Sequence, residues 1–294
     1  MAPTASRTRA TLIGFTAILL WSLLALLTAS SGTMPPFQMT AITFAIGAMT
    51  VLIYIRSQGR WPHIPTGQSK AVLLGIAGLF FYHFLYFTAL RNAPAVEASL
   101  IAYLWPLLIV VGSALMPGEK LKAQHVIGAL LGLGGAALIL VSRGGGLSGG
   151  GSALGYGAAI ACAFTWAAYS LSSRRFSNVP TDAVVFYCAA TSVLSLICHF
   201  VFEVTVWPET WFQWAAIIGL GIGPLGIGFF TWDIGCKNGD IQVLGASSYA
   251  APLLSTLVLI VAGIAAPTMV IFGACLLITA GAVIAAKDMI FKKA

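Results

Sequence analysis

The chain has 294 residues, of which 59% are hydrophobic and only 8% are charged. Soluble domains carry about 25% charged residues, so this composition excludes a water-soluble protein. Alternating strands of the porin type are not seen. The sequence therefore predicts an integral membrane protein of the all-α class.

Apolar runs recur along the whole chain at a length that suits a bilayer. A membrane core about 30 Å thick requires about 20 apolar residues per helix. Ten segments satisfy this requirement, which predicts ten transmembrane helices. In chain order the predicted spans cover residues 11–30, 36–55, 71–90, 94–115, 123–141, 152–172, 182–202, 211–235, 241–262 and 267–286.

The first span has an alternative interpretation as a signal peptide. Arg7 and Arg9 precede its apolar stretch, which ends in the small residues Ala29-Ser30-Ser31-Gly32. Basic residues before an apolar run, followed by small residues, are typical of a cleaved leader. Both interpretations remain open at this stage.

The basic residues predict the orientation in the membrane. The formal net charge is +7. With the N-terminus inside, thirteen Lys and Arg residues fall on the inner side and only Arg91 and Arg143 fall outside. The positive-inside rule then places both termini in the cytoplasm and supports an even number of spans. The basic excess is thus explained by topology, and we expect no nucleic-acid partner.

The sequence predicts no metal, disulfide or cofactor. The five cysteines lie in or beside apolar spans without Cys-x-x-Cys spacing. His63, His125 and His199 stand alone near span ends, without the carboxylate neighbours that a metal site would need. A phosphate-binding Gly-x-x-x-x-Gly-Lys-Ser/Thr motif does not occur either, so we expect no ATPase activity and infer no ATPase subunit.

The two halves of the chain match each other at an offset of 146 residues. Matched pairs include Gly75 with Gly221, Phe84 with Phe230, Asn92 with Asn238, Tyr103 with Tyr249, and Pro106-Leu107-Leu108 with Pro252-Leu253-Leu254. This predicts two repeats, residues 1–143 and 152–294, joined by a flexible external glycine-rich linker at 144–151. Five spans in each repeat is an odd number, so the second repeat is predicted to be inverted relative to the first. Inverted repeats favour passive or ion-coupled transport by alternating access.

Two groups of helix-weakening residues are candidates for hinges. Pro106 and Pro252 occupy matched positions near the centres of the fourth and ninth spans, where each removes a backbone hydrogen bond. Gly223 and Pro224 belong to a glycine-rich stretch of the eighth span, which could pack tightly or flex. Proline is common in membrane helices, but its exact repetition favours a functional kink.

Polar aromatic residues predict a cavity between the repeats. In lipid their hydroxyl, imidazole and indole groups would be unsatisfied, so we expect them to face inward. Such a lining would offer stacking and cation–π contacts to apolar or aromatic solutes, and plain core packing is the alternative. The candidate substrate-binding residues are Trp21, Tyr82, His83, Tyr86, Tyr103, Trp105, Trp166 and Tyr249.

Charged residues at span ends have more than one interpretation. Glu97, just inside the fourth span, is a candidate for coupling to a proton or for binding a substrate ammonium, or it could face external water. Asp233 is expected to pair with Lys237, four residues further along the same helix. Asn92 and Asn238 are expected to cap turns.

These residues resemble the drug/metabolite transporter superfamily, in particular its ten-helix EamA-type exporters. The resemblance rests on the segment Tyr86–Ala95, which reads Tyr-Phe-Thr-Ala-Leu-Arg-Asn-Ala-Pro-Ala, then on Pro106-Leu107, Gly118-Glu119, Trp21 and Trp166. Within that superfamily, Trp105-Pro106-Leu107 with Tyr82, His83 and Tyr103 is most similar to the aromatic amino-acid exporters. The resemblance implies efflux across the bacterial inner membrane.

The second half departs from this pattern, with Asp240 where Pro94 stands and Ala265 where Glu119 stands. Both positions are in loops and leave the predicted fold unchanged. The resulting hypothesis is a non-enzymatic inner-membrane exporter of aromatic and other apolar amino acids. The alternatives are an exporter of drugs, nucleosides or other metabolites, and an intramembrane serine hydrolase that uses Ser248 with His83.

Overall fold

A computed structural model describes residues 4–64, 66–116, 118–144, 150–263 and 266–290. These residues form helices and connecting segments, with no β-strand among them. Most of the predicted linker 144–151 lies outside the described residues, as does Ala265. In chain order the helices are α1 (Thr4–Trp21), α2 (Leu24–Ala29), α3 (Pro36–Ser57), α4 (Ser69–Asn92), α5 (Ala95–Ala102), α6 (Trp105–Gly112), α7 (Ala123–Gly144), α8 (Ala153–Arg175), α9 (Val184–Phe202), α10 (Trp211–Leu220), α11 (Gly228–Asn238), α12 (Ile241–Ser247), α13 (Ala250–Val261), α14 (Met269–Ala285) and α15 (Lys287–Ile290).

Within the described ranges, eight helical segments are long and apolar enough to cross a membrane. Helices α12 and α13, bent by 40° relative to each other, form one further candidate span. Helix α14 has 17 residues, which corresponds to about 26 Å and is slightly short of a bilayer core. The all-helical membrane class is therefore confirmed, while the number of ten spans stays a prediction.

Several spans are interrupted rather than straight. A turn at Ser22 and Leu23 separates α1 from α2. Residues Gly221–Ile227, between α10 and α11, form a π-helical segment that contains Pro224. Because proline cannot donate a backbone hydrogen bond, a wider π turn is one way to keep the chain helical there.

The fourth and ninth spans break at matched positions. Helix α5 ends at Ala102, four residues before Pro106, and α12 ends at Ser247, five residues before Pro252. Each proline frees the carbonyl four residues before it, and the regular hydrogen-bond ladder is interrupted at that level. Both spans are therefore interrupted, and the ninth bends by 40° at its break.

Long helices pack in pairs that join the two halves of the chain. Helix α7 lies along α14, α4 along α8, α3 along α9 and α1 along α11. Where α7 crosses α14, a Cβ on Gly281 would lie 2.5 Å from the carbonyl oxygen of Gly128, so only glycine permits this approach. Helix α1 is thus packed within the bundle, against the second half of the chain.

Ion pairs mark the two ends of the bundle. The end where Arg7 pairs with Glu119 and Asp240 is named the Arg7 end, and the end where Arg91 pairs with Glu203 is named the Glu203 end. Helix α3 runs between them: Phe37, in its first turn, contacts Glu203, and Arg60, just beyond its last turn, pairs with Asp182 at 2.7 Å. Lys122 and Asp288 also pair at the Arg7 end.

Candidate functional site

Four indole rings meet at the centre of the bundle and form what we call the tryptophan cluster. Trp21 at the end of α1 and Trp105 at the start of α6 come from the first half of the chain, while Trp166 of α8 and Trp232 of α11 come from the second. All six pairs of rings are in contact, with centroid separations from 5.1 Å to 6.5 Å. The prediction grouped three of these four rings, and the structure brings those three together.

Hydrogen bonds hold two of the indoles in place. Trp21 Nε1 donates to the carbonyl oxygen of Pro224 at 3.1 Å, so this ring is tied to the π-helical segment. Trp232 Nε1 donates to Ser170 Oγ at 3.1 Å, and both side chains are fully buried. Buried indole N–H groups generally need such a partner, and these two bonds fix the orientation of the rings.

Further aromatic residues surround one side of the cluster. The Phe229 ring lies 5.6 Å from that of Trp166 and stacks on Phe44 at 5.5 Å. Tyr82 lies 5.0 Å from Trp166, and His83 lies 5.0 Å from Phe44. Tyr82 and His83, adjacent on α4, therefore reach the same aromatic region as predicted from their positions in the third span.

His83 has a defined tautomer in this arrangement. Its Nδ1 lies 2.7 Å from the carbonyl oxygen of Leu79, one turn earlier on α4. A carbonyl can only accept, so Nδ1 carries the proton and donates it. In the neutral imidazole, Nε2 then remains an acceptor.

The other predicted tyrosines lie at different depths. The Tyr86 ring stacks parallel to that of Tyr82 at 6.2 Å, and its hydroxyl shares a hydrogen bond of 3.1 Å with Ser99 Oγ. Tyr103 lies at the break between α5 and α6 and packs against a separate apolar cluster that contains Tyr249. Tyr249 is fully buried there, away from the four indoles, and its hydroxyl accepts from the Leu107 backbone N–H.

Glu97 lies in the first turn of α5, where a carboxylate is favoured by the helix N-terminus. The residue is 8% exposed, and its carboxylate accepts a hydrogen bond from the Tyr156 hydroxyl of α8. Glu97 thus joins the two halves near the Glu203 end.

A network of ion pairs closes the Arg7 end. Arg7 contacts Glu119 at 2.9 Å and Asp240 at 3.2 Å, and Arg174 also pairs with Glu119. Arg174 Nη1 donates to the Lys237 carbonyl oxygen at 2.8 Å. The Glu119 side chain is only 3% exposed. One buried carboxylate therefore holds arginines from α1 and α8, on opposite halves of the chain.

Some charged residues at the span ends behave as predicted and others do not. Asp233 pairs with Lys237 at 2.6 Å, as predicted. Asp240 begins α12 by accepting from the Val243 backbone N–H, which replaces the role of Pro94 at the start of α5. The prediction that His199 stands alone is wrong, because its Nδ1 lies 3.0 Å from a Glu203 carboxylate oxygen.

The two asparagines that were expected to cap turns donate instead to backbone carbonyls earlier in their own helices. Asn92 Nδ2 donates to the Thr88 carbonyl at 2.8 Å and Asn238 Nδ2 to the Ile234 carbonyl at 3.4 Å, in each case one turn earlier on the same helix. The side chains therefore bond to carbonyls within the last turns of their own helices and do not cap turns.

Two residues of the site were missed from sequence, Trp232 and Phe229. Trp232 lies at the position matched to Tyr86, and Phe229 at the position matched to His83, at the offset of 146 residues. Applying the repeat to every candidate would therefore have found both. The repeat also shows one difference between the two halves of the site. Gly228 is the residue of the second half that matches Tyr82 in the first, and a Cβ on Gly228 would lie 3.1 Å from Trp21 Nε1.

The arrangement suits recognition of flat apolar groups rather than covalent chemistry. Indole and phenol rings offer large apolar faces for stacking and for contact with a cation. The hydroxyl of Ser248, which the hydrolase alternative required, is fully buried and donates to the Leu244 carbonyl at 2.7 Å. In this conformation the four indoles touch one another, so a solute entering the cluster would have to separate them.

Comparison with known proteins identifies related transporters. Residues 8–141 match the EamA-like transporter family. The chain is 53% identical to the aromatic amino acid exporter YddG of Ancylobacter novellus over 281 residues, which covers 95% of this chain and 98% of that protein. It is 28% identical to the protein of the same name from Escherichia coli, covering 85% and 87% of the two chains.

More distant relatives carry other substrates in their names. The biotin transporter of Salmonella typhimurium is 26% identical, with 73% of this chain and 71% of that protein covered. A solved crystal structure superposes with a TM-score of 0.90 at 52% identity, covering 96% of this chain and 98% of the other. The relatives that carry a functional name are exporters or transporters, which confirms both the resemblance inferred from the residues and the prediction that the protein is not an enzyme. The chain belongs to the EamA-like transporter family of the drug/metabolite transporter superfamily.

Proposed function

We propose that this protein is a multi-pass transporter of the bacterial inner membrane that exports aromatic and other apolar amino acids. The observation that carries the proposal is the tryptophan cluster, which both halves build and which offers apolar ring faces at mid-span. The likeness to exporters named for aromatic amino acids supports this substrate class. No cofactor is invoked, and the partners are the lipid bilayer and the amino acid itself.

The proposed topology has ten spans with both termini in the cytoplasm. The eight long helices, the bent pair α12 and α13, and the shorter α14 supply ten candidate segments. The Arg7 end, which carries Arg60, Lys122 and Arg174, is then the cytoplasmic end, in line with the positive-inside rule. The Glu203 end faces outward.

The two halves, residues 1–143 and 152–294, are proposed to be inverted repeats. Under the offset of 146 residues, the pairing of α4 with α8 corresponds to that of α11 with α1, and both pairs are extensive. The breaks that follow Ala102 and Ser247 also lie at corresponding positions. A pseudo-two-fold axis in the membrane plane accounts for both regularities.

Alternating access is proposed to occur by rocking one repeat against the other. The ion pairs of Glu119 would have to open when the Arg7 end admits substrate. Breaks near Pro106 and Pro252, with Gly223 and Pro224 of the π-helical segment, are the proposed hinges. Weakened hydrogen-bond ladders lower the cost of bending a helix at these points.

The proposed substrate-binding set keeps the predicted residues other than Tyr249 and adds two. The indoles and Tyr82 would stack on the substrate side chain, and His83 Nε2 could accept from its ammonium group. Glu97 is proposed as the coupling residue if transport depends on protons. The full proposed set is Trp21, Tyr82, His83, Tyr86, Tyr103, Trp105, Trp166, Phe229 and Trp232, without Tyr249, which is fully buried in a separate cluster.

The test is uptake of radiolabelled phenylalanine, tyrosine and tryptophan into proteoliposomes, with and without a proton gradient. We expect saturable uptake that unlabelled aromatic amino acids inhibit and that Trp166→Ala abolishes. Trp207→Ala is the matched control, because Trp207 is 61% exposed and outside the cluster. Uptake of biotin or nucleosides in place of amino acids would move the assignment to the wider metabolite exporters. Wild-type uptake by Trp166→Ala would refute the site.

A further inference from the structure

An aromatic cavity lies at the Glu203 end, outside the tryptophan cluster. It has a volume of about 180 Å³ and opens between α3, α4 and α9. An apolar cavity of about 150 Å³ is large enough to bind benzene. This one therefore has room for a phenyl ring. Its lining residues are Phe37, Phe84, Phe87, Thr88, Arg91, Asn92 and Phe202.

Phenylalanine rings from three helices form the walls. The Phe37 ring lies 5.7 Å from that of Phe84, 5.5 Å from Phe87 and 6.4 Å from Phe202. These separations are typical of aromatic pairs, and a planar guest inserted among them would gain similar contacts. The cavity thus matches the shape and polarity of an aromatic side chain.

Arg91 gives the cavity a charged side. Its guanidinium carbon lies 5.9 Å from the centroid of the Phe37 ring, and its side chain is 48% exposed. Nη2 donates to Glu203 at 3.2 Å. A guanidinium carries five N–H donors in a planar fork that fits a carboxylate, so it can hold Glu203 and receive a second anion. The α-carboxylate of an amino acid is such an anion.

Glu203 positions this arginine. Its side chain is only 2% exposed, and its oxygens accept from the backbone N–H groups of Phe37 and Gln38, at the start of α3. A carboxylate at a helix N-terminus is stabilised by the exposed N–H groups and the helix dipole. His199 Nδ1 also contacts it, at 3.0 Å. Glu203 is therefore held in place and fixes the side of Arg91 that faces it.

A continuous series of rings connects this cavity with the tryptophan cluster. Tyr82 contacts Trp166 at 5.0 Å and His83 at 5.2 Å. His83 lies 6.2 Å from Phe87, which in turn lines the cavity beside Phe37. The cavity and the tryptophan cluster are therefore linked by direct ring contacts.

We propose that this cavity is an exit subsite for an aromatic amino acid, with the ring held by the four phenylalanines and the α-carboxylate bound by Arg91. The inference rests on the proposed function, since it assigns a second site to the same substrate class. The feature specific to this second site is that Arg91 recognises the carboxylate of the substrate at the Glu203 end.

The test compares binding of two half-substrates to the purified full-length protein by isothermal titration calorimetry. 3-Phenylpropanoate has the ring and the carboxylate, whereas phenethylamine has the ring and the ammonium. Arg91→Gln should weaken the binding of 3-phenylpropanoate by about tenfold or more, which is the loss expected for a charged hydrogen bond. The binding of phenethylamine should be unchanged. Thr88→Phe, which fills the cavity, should also weaken the binding of 3-phenylpropanoate. Arg175→Gln, an exposed arginine at the other end, is the matched control and should change neither.

Phenylalanine uptake by the same variants in proteoliposomes separates the two proposals. Wild-type uptake together with unchanged 3-phenylpropanoate binding in Arg91→Gln and Thr88→Phe would overturn the exit subsite and leave the export function standing. Absence of uptake by the wild type would overturn both. A lipid acyl chain is the competing occupant: native mass spectrometry would then show a bound lipid that Thr88→Phe loses and that 3-phenylpropanoate does not displace, which would also overturn the subsite.

Discussion

The backbone N–H of Leu107 donates to the hydroxyl of Tyr249 at 3.2 Å, across the interface between the fourth and ninth spans. Tyr249 is itself at the junction of α12 and α13, and Leu107 follows Pro106 in α6. The two interrupted spans are thus joined at the level of their breaks. A side chain of one span compensates for the irregular backbone of the other.

Tyr249→Phe should lower the stability of the protein without a change in the size of the ring. The Leu107 N–H would lose its bond to the fully buried Tyr249 hydroxyl, at a cost of about 1–3 kcal/mol. Thermal unfolding in detergent measures the effect. Tyr54→Phe is the control, because Tyr54 is 51% exposed. Equal melting temperatures for the two variants would show that the bond contributes nothing.

Two glycine-to-alanine substitutions within α14 should have different effects on the stability of the protein. A Cβ on Gly281 would lie 2.5 Å from the Gly128 carbonyl oxygen, so Gly281→Ala must force α7 and α14 apart and destabilise the protein. A Cβ on Gly273, in the same helix, meets no atom within 4 Å. Gly273→Ala should therefore be neutral or stabilising by up to about 1 kcal/mol, since alanine favours the helix. Denaturation of both variants in the same detergent tests this, and a stable Gly281→Ala would contradict the close crossing.

Hydropathy predicted much of the fold because a bilayer imposes simple rules on length and composition. The predicted span 36–55 corresponds to α3 (Pro36–Ser57), and 182–202 to the turn at Thr181–Ala183 followed by α9 (Val184–Phe202). The π-helical form of Gly221–Ile227 could not be predicted in detail, because glycine and proline indicate a weak helix without specifying which hydrogen bonds replace the lost ones.

The site was predicted less completely, for two physical reasons. Mid-span position identified Trp21 and Trp166 as inward-facing, but it does not separate residues at different depths, so Tyr249 was grouped with them although it packs elsewhere. The contacts of Glu119 and Glu203 depend on which span ends meet in space. Sequence spacing carries no information on that for residues more than one hundred positions apart, such as Arg7 and Glu119.

Glu119→Gln should loosen the closed Arg7 end. The neutral amide would leave Arg174 and Arg7 without their shared carboxylate, and Arg7 would keep only its pair with Asp240. Cys236 of α11 is fully buried behind this network. We therefore expect faster maleimide labelling of Cys236 in Glu119→Gln, with peptide-resolved mass spectrometry to separate it from the other cysteines.

Asp288→Asn is the control for that experiment. Asp288 pairs with Lys122 at the same end, and the hydrogen bond from Lys122 lowers the pKa of Asp288 below its ordinary value. Both side chains are largely exposed, so the pair contributes little and labelling should stay at the wild-type rate. Equal labelling rates in Glu119→Gln and Asp288→Asn would argue that Glu119 does not close this end.

Gly228→Ala should impair transport while the protein remains folded. Its Cβ would lie 3.1 Å from Trp21 Nε1, close enough to displace the indole and weaken its hydrogen bond to the Pro224 carbonyl. Alanine is otherwise favourable in a helix, so global stability should change little. Phenylalanine uptake should fall several-fold, with a similar melting temperature. Gly157→Ala in α8, where a Cβ meets no atom within 4 Å, should behave as wild type. If Gly228→Ala transports at the wild-type rate, the exact position of Trp21 does not matter for transport, and the tryptophan cluster is packing rather than a substrate site.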